Sequence, residues 1–232
     1  MNTFNKNSFS LIVFIICHFS LLAQNQSSKD LGVWYMYFFN GKLTNSWGIQ
    51  GDIQYRSFNF GTDLEQMLFR GGIYHKPKNT NVLLTLGFAR ITTGTLGNND
   101  KTFNENRIYQ EALLPQKIGI FNLNHRFRFE QRFVENQDFR TRYRYNLLIN
   151  MPLNKATIDV KTLYLIMQNE IFINGQRQIG NNRTVPLFDR NRLYGGIGYC
   201  FNNSFKAQIG IMNQSLETAG RNQLQLSLHH NF

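Results

Sequence analysis

Apolar and polar side chains alternate, residue by residue, along two long runs between residues 119 and 151. In the first run one parity is aromatic or aliphatic, as at Phe127, and the other carries charge, as at Arg126 and Arg128. Successive side chains of a β-strand point to opposite faces of its sheet, so this alternation predicts two strands. Residues 135–138 separate the runs and form a predicted hairpin loop. A helix would mix the two classes around its surface.

The same alternation continues along most of the chain. It predicts nine further strands, at residues 31–39, 46–57, 65–75, 82–91, 107–114, 157–173, 190–201, 205–214 and 222–232. A bulge near Met167 is needed to reconcile the mixed parity of the run 157–173. Residues 92–106 and 174–189 are polar and lack the alternation, so we predict long loops there.

These eleven candidates predict an all-β fold, a closed antiparallel transmembrane β-barrel. Bacterial single-chain barrels have an even number of strands, and the last strand is expected to pair antiparallel with the first. We therefore expect twelve strands, with one unrecognised strand near the N-terminus, or alternatively ten, if residues 31–39 are not a full strand. Trp34 and Trp47 are expected in the interface belts of such a barrel. A soluble sandwich would show the same local alternation.

Three features favour the outer membrane of a Gram-negative bacterium over a secreted sandwich. Residues 1–23 resemble a signal peptide, with Lys6, an apolar core and a cleavage site after Ala23, which leaves residues 24–232 as the predicted barrel domain. Predicted connections alternate between short turns and longer loops, as at the two rims of a bacterial barrel. The last strand ends on Phe232, and outer-membrane barrels resemble this, with a terminal aromatic residue that the insertion machinery reads. Outer-membrane lipid and that machinery are the predicted partners.

Composition narrows the function classes. Charged residues make up 17 % of the chain, and 25 Lys and Arg against 14 Asp and Glu give a formal net charge of +11. A basic chain can bind nucleic acid, but an exported chain does not meet it routinely, and the aromatic residues lie on the face opposite the arginines. No zinc, phosphate-loop or dinucleotide pattern occurs, and Cys200 is the one cysteine outside the signal segment, so we predict no metal and no cofactor.

With the apolar face toward lipid, the charged face turns into the barrel. The predicted lumen cluster consists of arginines and two glutamates: Arg56, Arg70, Arg107, Glu111, Arg126, Arg128, Glu130, Arg132, Arg140, Arg142, Arg144, Arg190 and Arg192. Asp52 and Asp159 are expected on the same face. Guanidinium groups bind carboxylates and phosphates with paired hydrogen bonds, which predicts a narrow, porin-like anion-favouring pore or a site for small acidic ligands. The alternative is that Arg and Glu link neighbouring strands and plug the barrel.

A second alternative is an outer-membrane hydrolase, which needs a nucleophile, a base and an orienting group in contact. Candidate groups are His125 on the lipid face, His229 and His230 near one rim, and the pair Asp63 and Glu65 near the other. No serine lies within two residues of His125 on its face, and rim carboxylates are usually solvated. No catalytic residue is therefore predicted, and a barrel without enzymatic activity is favoured.

The most specific segment of the chain is 125–132, where arginines at alternate positions flank Glu130. Further segments contribute to a family resemblance: Trp34 and residues 47–56, 70–74, 105–108, 142–145 and 169–174. Together they resemble an uncharacterised family of outer-membrane barrels, domain-of-unknown-function family 2490, over nearly all of residues 32–232. The resemblance implies a barrel fold and an outer-membrane location, and it implies no established activity.

Overall fold

The computed structural model describes residues 31–217 and 219–232, without the side chains of residues 98–100. This part of the chain consists of strands and their connections, and it contains no helix long and apolar enough to cross a membrane. The predicted signal peptide, residues 1–23, lies outside the described residues. The strands are β1 (Gly32–Lys42), β2 (Trp47–Ser57), β3 (Leu64–His75), β4 (Leu83–Thr95), β5 (Asn98–Ile118), β6 (Phe121–Val134), β7 (Arg140–Pro152), β8 (Leu163–Asn174), β9 (Phe188–Cys200), β10 (Phe205–Ser215) and β11 (Gly220–Asn231).

The described strands form one closed barrel of eleven strands, so the expected count of twelve, or alternatively ten, is wrong. Each strand pairs antiparallel with the next, and β1 pairs with β11 in parallel, from Gly32 opposite Gln223 to Asn40 opposite Asn231. The expected antiparallel closure is therefore also wrong. An odd number of alternating strands leaves the first and last running in the same direction, and a parallel ladder still pairs their backbone groups.

The two rims of the barrel carry connections of mixed length. The upper rim, where β1 begins, has the connections 58–63, 96–97, 135–139, 175–187 and 216–219. The lower rim, where β1 ends, has 43–46, 76–82, 119–120, 153–162 and 201–204. Each rim thus has one long loop and one two-residue turn. The predicted segregation of long loops to one rim is wrong.

Residues 92–106, predicted as a loop, belong to the hairpin of β4 and β5. Thr93 pairs with Phe103, and the turn at residues 96–97 places Gly97 at φ +71°, a conformation that suits glycine. These strands extend through polar residues because polar side chains hydrogen-bond to one another across the ladder. The Thr92 hydroxyl, for example, donates to Asn104 Oδ1 at 2.9 Å. The predicted loop was wrong because its polarity reflects this pairing rather than irregular backbone.

The strand predicted at residues 157–173 begins only at Leu163, and its register shift falls between Phe172 and Ile173 rather than near Met167. Asp159 therefore lies in the exposed lower-rim connection, where Lys155 Nζ donates to its carboxylate at 2.6 Å. The prediction that Asp159 faces the lumen is wrong. Local side-chain hydrogen bonds from Thr157 and Thr162 to Asp159 stabilise the irregular backbone instead.

The barrel carries its charged face inside and its apolar face outside. Glu130 is 1 % exposed, whereas Phe127 on the other parity of the same strand is 50 % exposed. The interior also holds an apolar cluster, formed by Trp34, Tyr164, Ile166, Tyr194 and Met212. Trp34 is thus internal and 2 % exposed, so its predicted place in an interface belt is wrong, while Trp47 is external and 48 % exposed. Both parities of β1 are aromatic near Trp34, and the pattern there could not assign the faces.

Candidate functional site: the arginine-lined lumen

Glu130 is the most highly connected carboxylate of the lumen. It lies in β6, and its oxygens accept hydrogen bonds from Arg142 and Arg144 of β7, each at 2.6 Å. Arg107 of β5 and Arg128 lie 3.8 and 4.0 Å from the same carboxylate. A buried carboxylate is tolerated only when cations and hydrogen bonds replace its water. Strand alternation meets this requirement by projecting every second residue of three adjacent strands into one space.

Arginines stand directly opposite one another in this part of the sheet. Arg107 pairs with Arg132 across β5 and β6, and Arg128 pairs with Arg144 across β6 and β7. Like charges at such positions destabilise a sheet unless something neutralises them. Carboxylates do so here: Glu105 bridges Arg107 and Arg132, with Nε–Oε1 distances of 2.6 and 2.5 Å.

Further carboxylates extend the network around the wall. Glu111 contacts Arg128 and Arg126, Glu170 contacts Arg126 and Arg144, and Asp189 contacts Arg142 and Arg190. One connected network results, which joins strands β5 to β9. Asp52 and Arg70 form a separate pair at 2.8 Å, supported by Gln54.

Three lumen arginines have no carboxylate within salt-bridge distance among the described residues. Arg56 binds the amide oxygens of Gln54 and Gln66, and its guanidinium carbon lies 3.6 Å from the centre of the Trp34 ring. Arg192 binds Gln214 at 2.8 Å and lies over Trp34. Arg140 is 8 % exposed, and its Nε is buried without a hydrogen-bond partner. These unneutralised charges, Arg56, Arg140 and Arg192, are called the free arginines below.

The lumen contains two adjoining cavities, called the upper and the lower chamber. The upper chamber, of about 310 Å³, is lined by nine arginines that include the three free ones, together with Glu65 and Glu105. The lower chamber, of about 190 Å³, is lined by mixed polar and apolar groups such as Tyr194, Gln208 and His229. The two chambers share four lining residues, which are called the septum below: Arg56, Arg70, Arg144 and Arg192.

The loop 175–187 packs on the β6–β7 connection at the upper rim. Asp138 N donates to Ile179 O at 3.0 Å, and Arg183 donates to the backbone oxygen of Asn136 at 2.5 Å. Gln176 accepts from the hydroxyl of Thr141 at 3.0 Å. These bonds join the longest loop to the rim beside Arg140, above the arginine-rich side of the barrel.

All thirteen residues of the predicted lumen cluster face the interior, and most of them belong to the ion-pair network. Sequence reasoning missed four interior carboxylates: Glu65, Glu105, Glu170 and Asp189. Glu105 and Asp189 fell in segments read as loops, and Glu65 turns inward at the register shift beside Ser57, where it accepts a hydrogen bond from Trp34. Of these four carboxylates, only Glu170 had a sequence signal for an interior position, which was its place on the polar parity of its strand.

The groups weighed for hydrolysis do not form a complete catalytic arrangement in the described structure. External His125 contacts the Tyr145 hydroxyl at 2.9 Å and Gln116 at 3.2 Å, and no serine is among its partners. His229 lies inside and contacts the Ser227 hydroxyl at 3.1 Å, without a hydrogen-bonded carboxylate. Asp63 accepts a hydrogen bond from Asn59 and Glu65 accepts one from Trp34, so the two carboxylates have different partners.

No cluster of three or more His, Cys, Asp or Glu suited to a metal ion occurs among the described residues.

Comparison with known proteins gives a family and no closer relative. No curated protein and no solved structure matches the chain. The family model described as "Protein of unknown function (DUF2490)" matches residues 31–225, which covers all of the barrel except the end of β11. The chain therefore belongs to the DUF2490 family.

Proposed function

We propose that this protein is an outer-membrane β-barrel whose closed lumen binds small acidic ligands, and that it does not conduct a continuous ion current. The single observation that carries the ligand proposal is the set of three free arginines around the upper chamber. The proposed membrane location rests on the apolar outer face. The proposed absence of conduction rests on the septum.

The outer face has the character of a surface solvated by lipid. Its strands alternate apolar residues outward, and Phe69, Phe88, Phe127 and Tyr143 are each about half exposed or more. In water, so many exposed aromatic side chains would be a strong aggregation hazard. In hydrocarbon the same surface is favourable, because a closed barrel pairs its backbone groups internally.

Insertion into the membrane follows from the same proposal. Phe232 is 63 % exposed, and its backbone joins the lower rim through bonds with Asn40 O and Lys42 N, both at 3.0 Å. An exposed aromatic side chain held at a barrel rim is available to the insertion machinery. The proposal makes that machinery a transient partner and the outer membrane of a Gram-negative bacterium the final location.

The upper chamber has the charge required for an anion. Eleven lumen arginines face seven lumen carboxylates, so the interior carries an excess of about four positive charges. The ion-paired arginines outnumber their carboxylates by two, and Arg56, Arg140 and Arg192 have no carboxylate within salt-bridge distance among the described residues. A small dicarboxylate or phosphate in the chamber would accept charge-assisted hydrogen bonds from these groups.

The septum favours binding over conduction. Arg144 spans from Glu130 to Glu170, and Arg56 lies against Trp34, so bonded groups separate the two chambers. An ion crossing the lumen would have to displace these buried contacts. Conduction would therefore need a rearrangement of the septum.

Calorimetric titration of the purified, detergent-folded barrel with inorganic phosphate, succinate and an uncharged diol tests the proposal. We expect saturable binding of the two anions, weakened by added salt, and no binding of the diol. The parallel measurement is conductance in a planar bilayer, where we expect no steady channel. Absence of anion binding in a folded sample would indicate that the lumen is a structural plug. A steady anion-selective current would indicate that the protein is a pore and not a closed binding site.

A further inference from the structure

The outer wall bears a concave apolar groove of about 910 Å³ that crosses the strands from β2 to β8. Its lining includes residues that stand directly opposite one another on neighbouring strands. Leu84 pairs with Ala112, Ala112 with Phe127, and Phe127 with Tyr145 across β4, β5, β6 and β7. Ala112 is the smallest of these side chains, so β5 forms the floor and the aromatic residues of β6 and β7 form one wall. The groove is therefore a built feature of the sheet rather than a gap between loops.

One end of the groove reaches the lower rim. There the rings of Trp47 and His75 lie 4.4 Å apart, and His75 Nδ1 is buried without a hydrogen-bond partner. His75 is the last residue of β3, and the connection that follows it carries exposed Lys76 and Lys78. The β5–β6 hairpin beside it carries exposed Lys117. Apolar lining thus continues into a cationic rim.

Lysine is distributed very unevenly over the barrel. Residues 31–232 contain eight lysines, and all except Lys101 lie at the lower rim or within two residues of it: Lys42, Lys76, Lys78, Lys117, Lys155, Lys161 and Lys206. Asp159 is the one carboxylate in the described lower-rim connections, and Lys155 neutralises it. Unlike the lumen, whose arginines are mostly paired, the lysines of this rim other than Lys155 form no ion pair within the described part of the chain.

We infer that the groove and the adjoining lysines bind an anionic glycerophospholipid, with acyl chains along the groove and the phosphate at Lys76, Lys78 and Lys117. Charge complementarity selects this occupant, because lysines at a membrane surface attract anionic headgroups. The long side chains of lysine also reach from the barrel wall to the headgroup level. This inference rests on the membrane location proposed above and is independent of the lumen chamber.

Trp47 provides a direct readout of groove occupancy. The chain has two tryptophans, so the Trp34→Phe variant leaves Trp47 as the only indole, at the lower-rim end of the groove. This variant is reconstituted in vesicles that contain lipids with brominated acyl chains, which quench tryptophan on contact. Quenching is compared between brominated phosphatidylglycerol and brominated phosphatidylcholine at equal mole fractions.

We expect a several-fold higher relative affinity for phosphatidylglycerol. Replacing Lys76, Lys78 and Lys117 together by Gln should lower that preference by roughly three- to tenfold, and added salt should lower it as well. Lys101→Gln at the upper rim is the matched control and should leave the preference unchanged.

Each other outcome has a separate meaning. Equal quenching by the two lipids, or a preference that survives the triple substitution, overturns the lipid inference and leaves the membrane location intact. A competition measurement adds lipid A or unbrominated phosphatidylglycerol to vesicles that contain brominated phosphatidylglycerol. Relief of quenching by lipid A, but not by unbrominated phosphatidylglycerol, overturns the assignment to a glycerophospholipid. Absence of quenching by any brominated lipid contradicts the membrane location itself and so the proposed function.

Discussion

Glu130 and Arg142 stand directly opposite each other in the β6–β7 ladder and are joined by a 2.6 Å ion pair. Both side chains are almost fully buried, 1 % and 4 % exposed. The pair lies at the centre of the network because Arg144 and Arg107 approach the same carboxylate. Glu130 therefore partly offsets the positive charge of four arginines at once.

Glu130→Gln should destabilise the barrel by about 3–5 kcal/mol, since breaking a buried ion pair leaves uncompensated charge in a low dielectric. Thermal unfolding in detergent, followed by the gel shift between folded and unfolded barrel, measures the loss. Glu217→Gln is the matched control, because Glu217 is exposed in the upper-rim connection and should change stability by less than about 0.5 kcal/mol. Equal stability of Glu130→Gln and the control would refute the central role of Glu130.

Arg192→Gln should weaken binding of inorganic phosphate by about tenfold to a hundredfold, because hydrogen bonds to charged groups contribute about 1.5–3 kcal/mol. The same substitution should not lower the unfolding temperature, because Arg192 forms no ion pair within the described residues and its removal leaves no carboxylate unpaired. Calorimetric titration and thermal unfolding are the two readouts. Arg90→Gln, which removes an exposed arginine of the outer face, is the control and should bind phosphate like the native chain. Unchanged affinity in Arg192→Gln would remove this residue from the chamber site.

The parallel closure can be tested by cross-linking. Tyr35 of β1 lies opposite Leu226 of β11, so the double variant Tyr35→Cys, Leu226→Cys should form a disulfide on mild oxidation. The pair Phe39→Cys, Leu224→Cys is the control, because these residues lie near opposite ends of the same seam. An antiparallel seam would reverse the result, and mass spectrometry of the oxidised proteins would show which pair has joined.

Removal of Phe232 should lower the yield of assembled barrel in the outer membrane without abolishing refolding of the purified chain in detergent. The proposal makes Phe232 the residue that the insertion machinery recognises, and Phe232 takes no part in the ion-pair network of the lumen. Quantifying folded barrel in membrane fractions and in detergent separates the two effects. A normal yield in membranes would show that this residue is not the recognised element.

The sequence predicted the faces of most strands but not their number or all of their ends. Alternation at residues 126–132 is local and strong, so the shared face of Arg126, Arg128 and Glu130 could be predicted directly, whereas its inward direction depended on the predicted membrane location. Strand number depends on how the first and last strands meet, which is a long-range property, and the usual even count misled the prediction. Glu105 was missed because polar residues around it pair across the β4–β5 hairpin, which makes a strand resemble a loop.

The most direct test of the account concerns the surroundings of Phe127. A chain that begins at residue 24 and carries Cys200→Ser and Phe127→Cys receives one spin label on the outer face and is reconstituted in liposomes; Lys78→Cys in the same background labels the lower rim. Collision rates of the label with oxygen, which dissolves in hydrocarbon, and with a water-soluble nickel chelate are then compared. We predict that the label at residue 127 meets oxygen frequently and the nickel chelate rarely, the reverse of the label at residue 78. Free access of the nickel chelate to residue 127 would place the apolar face in water and contradict the account.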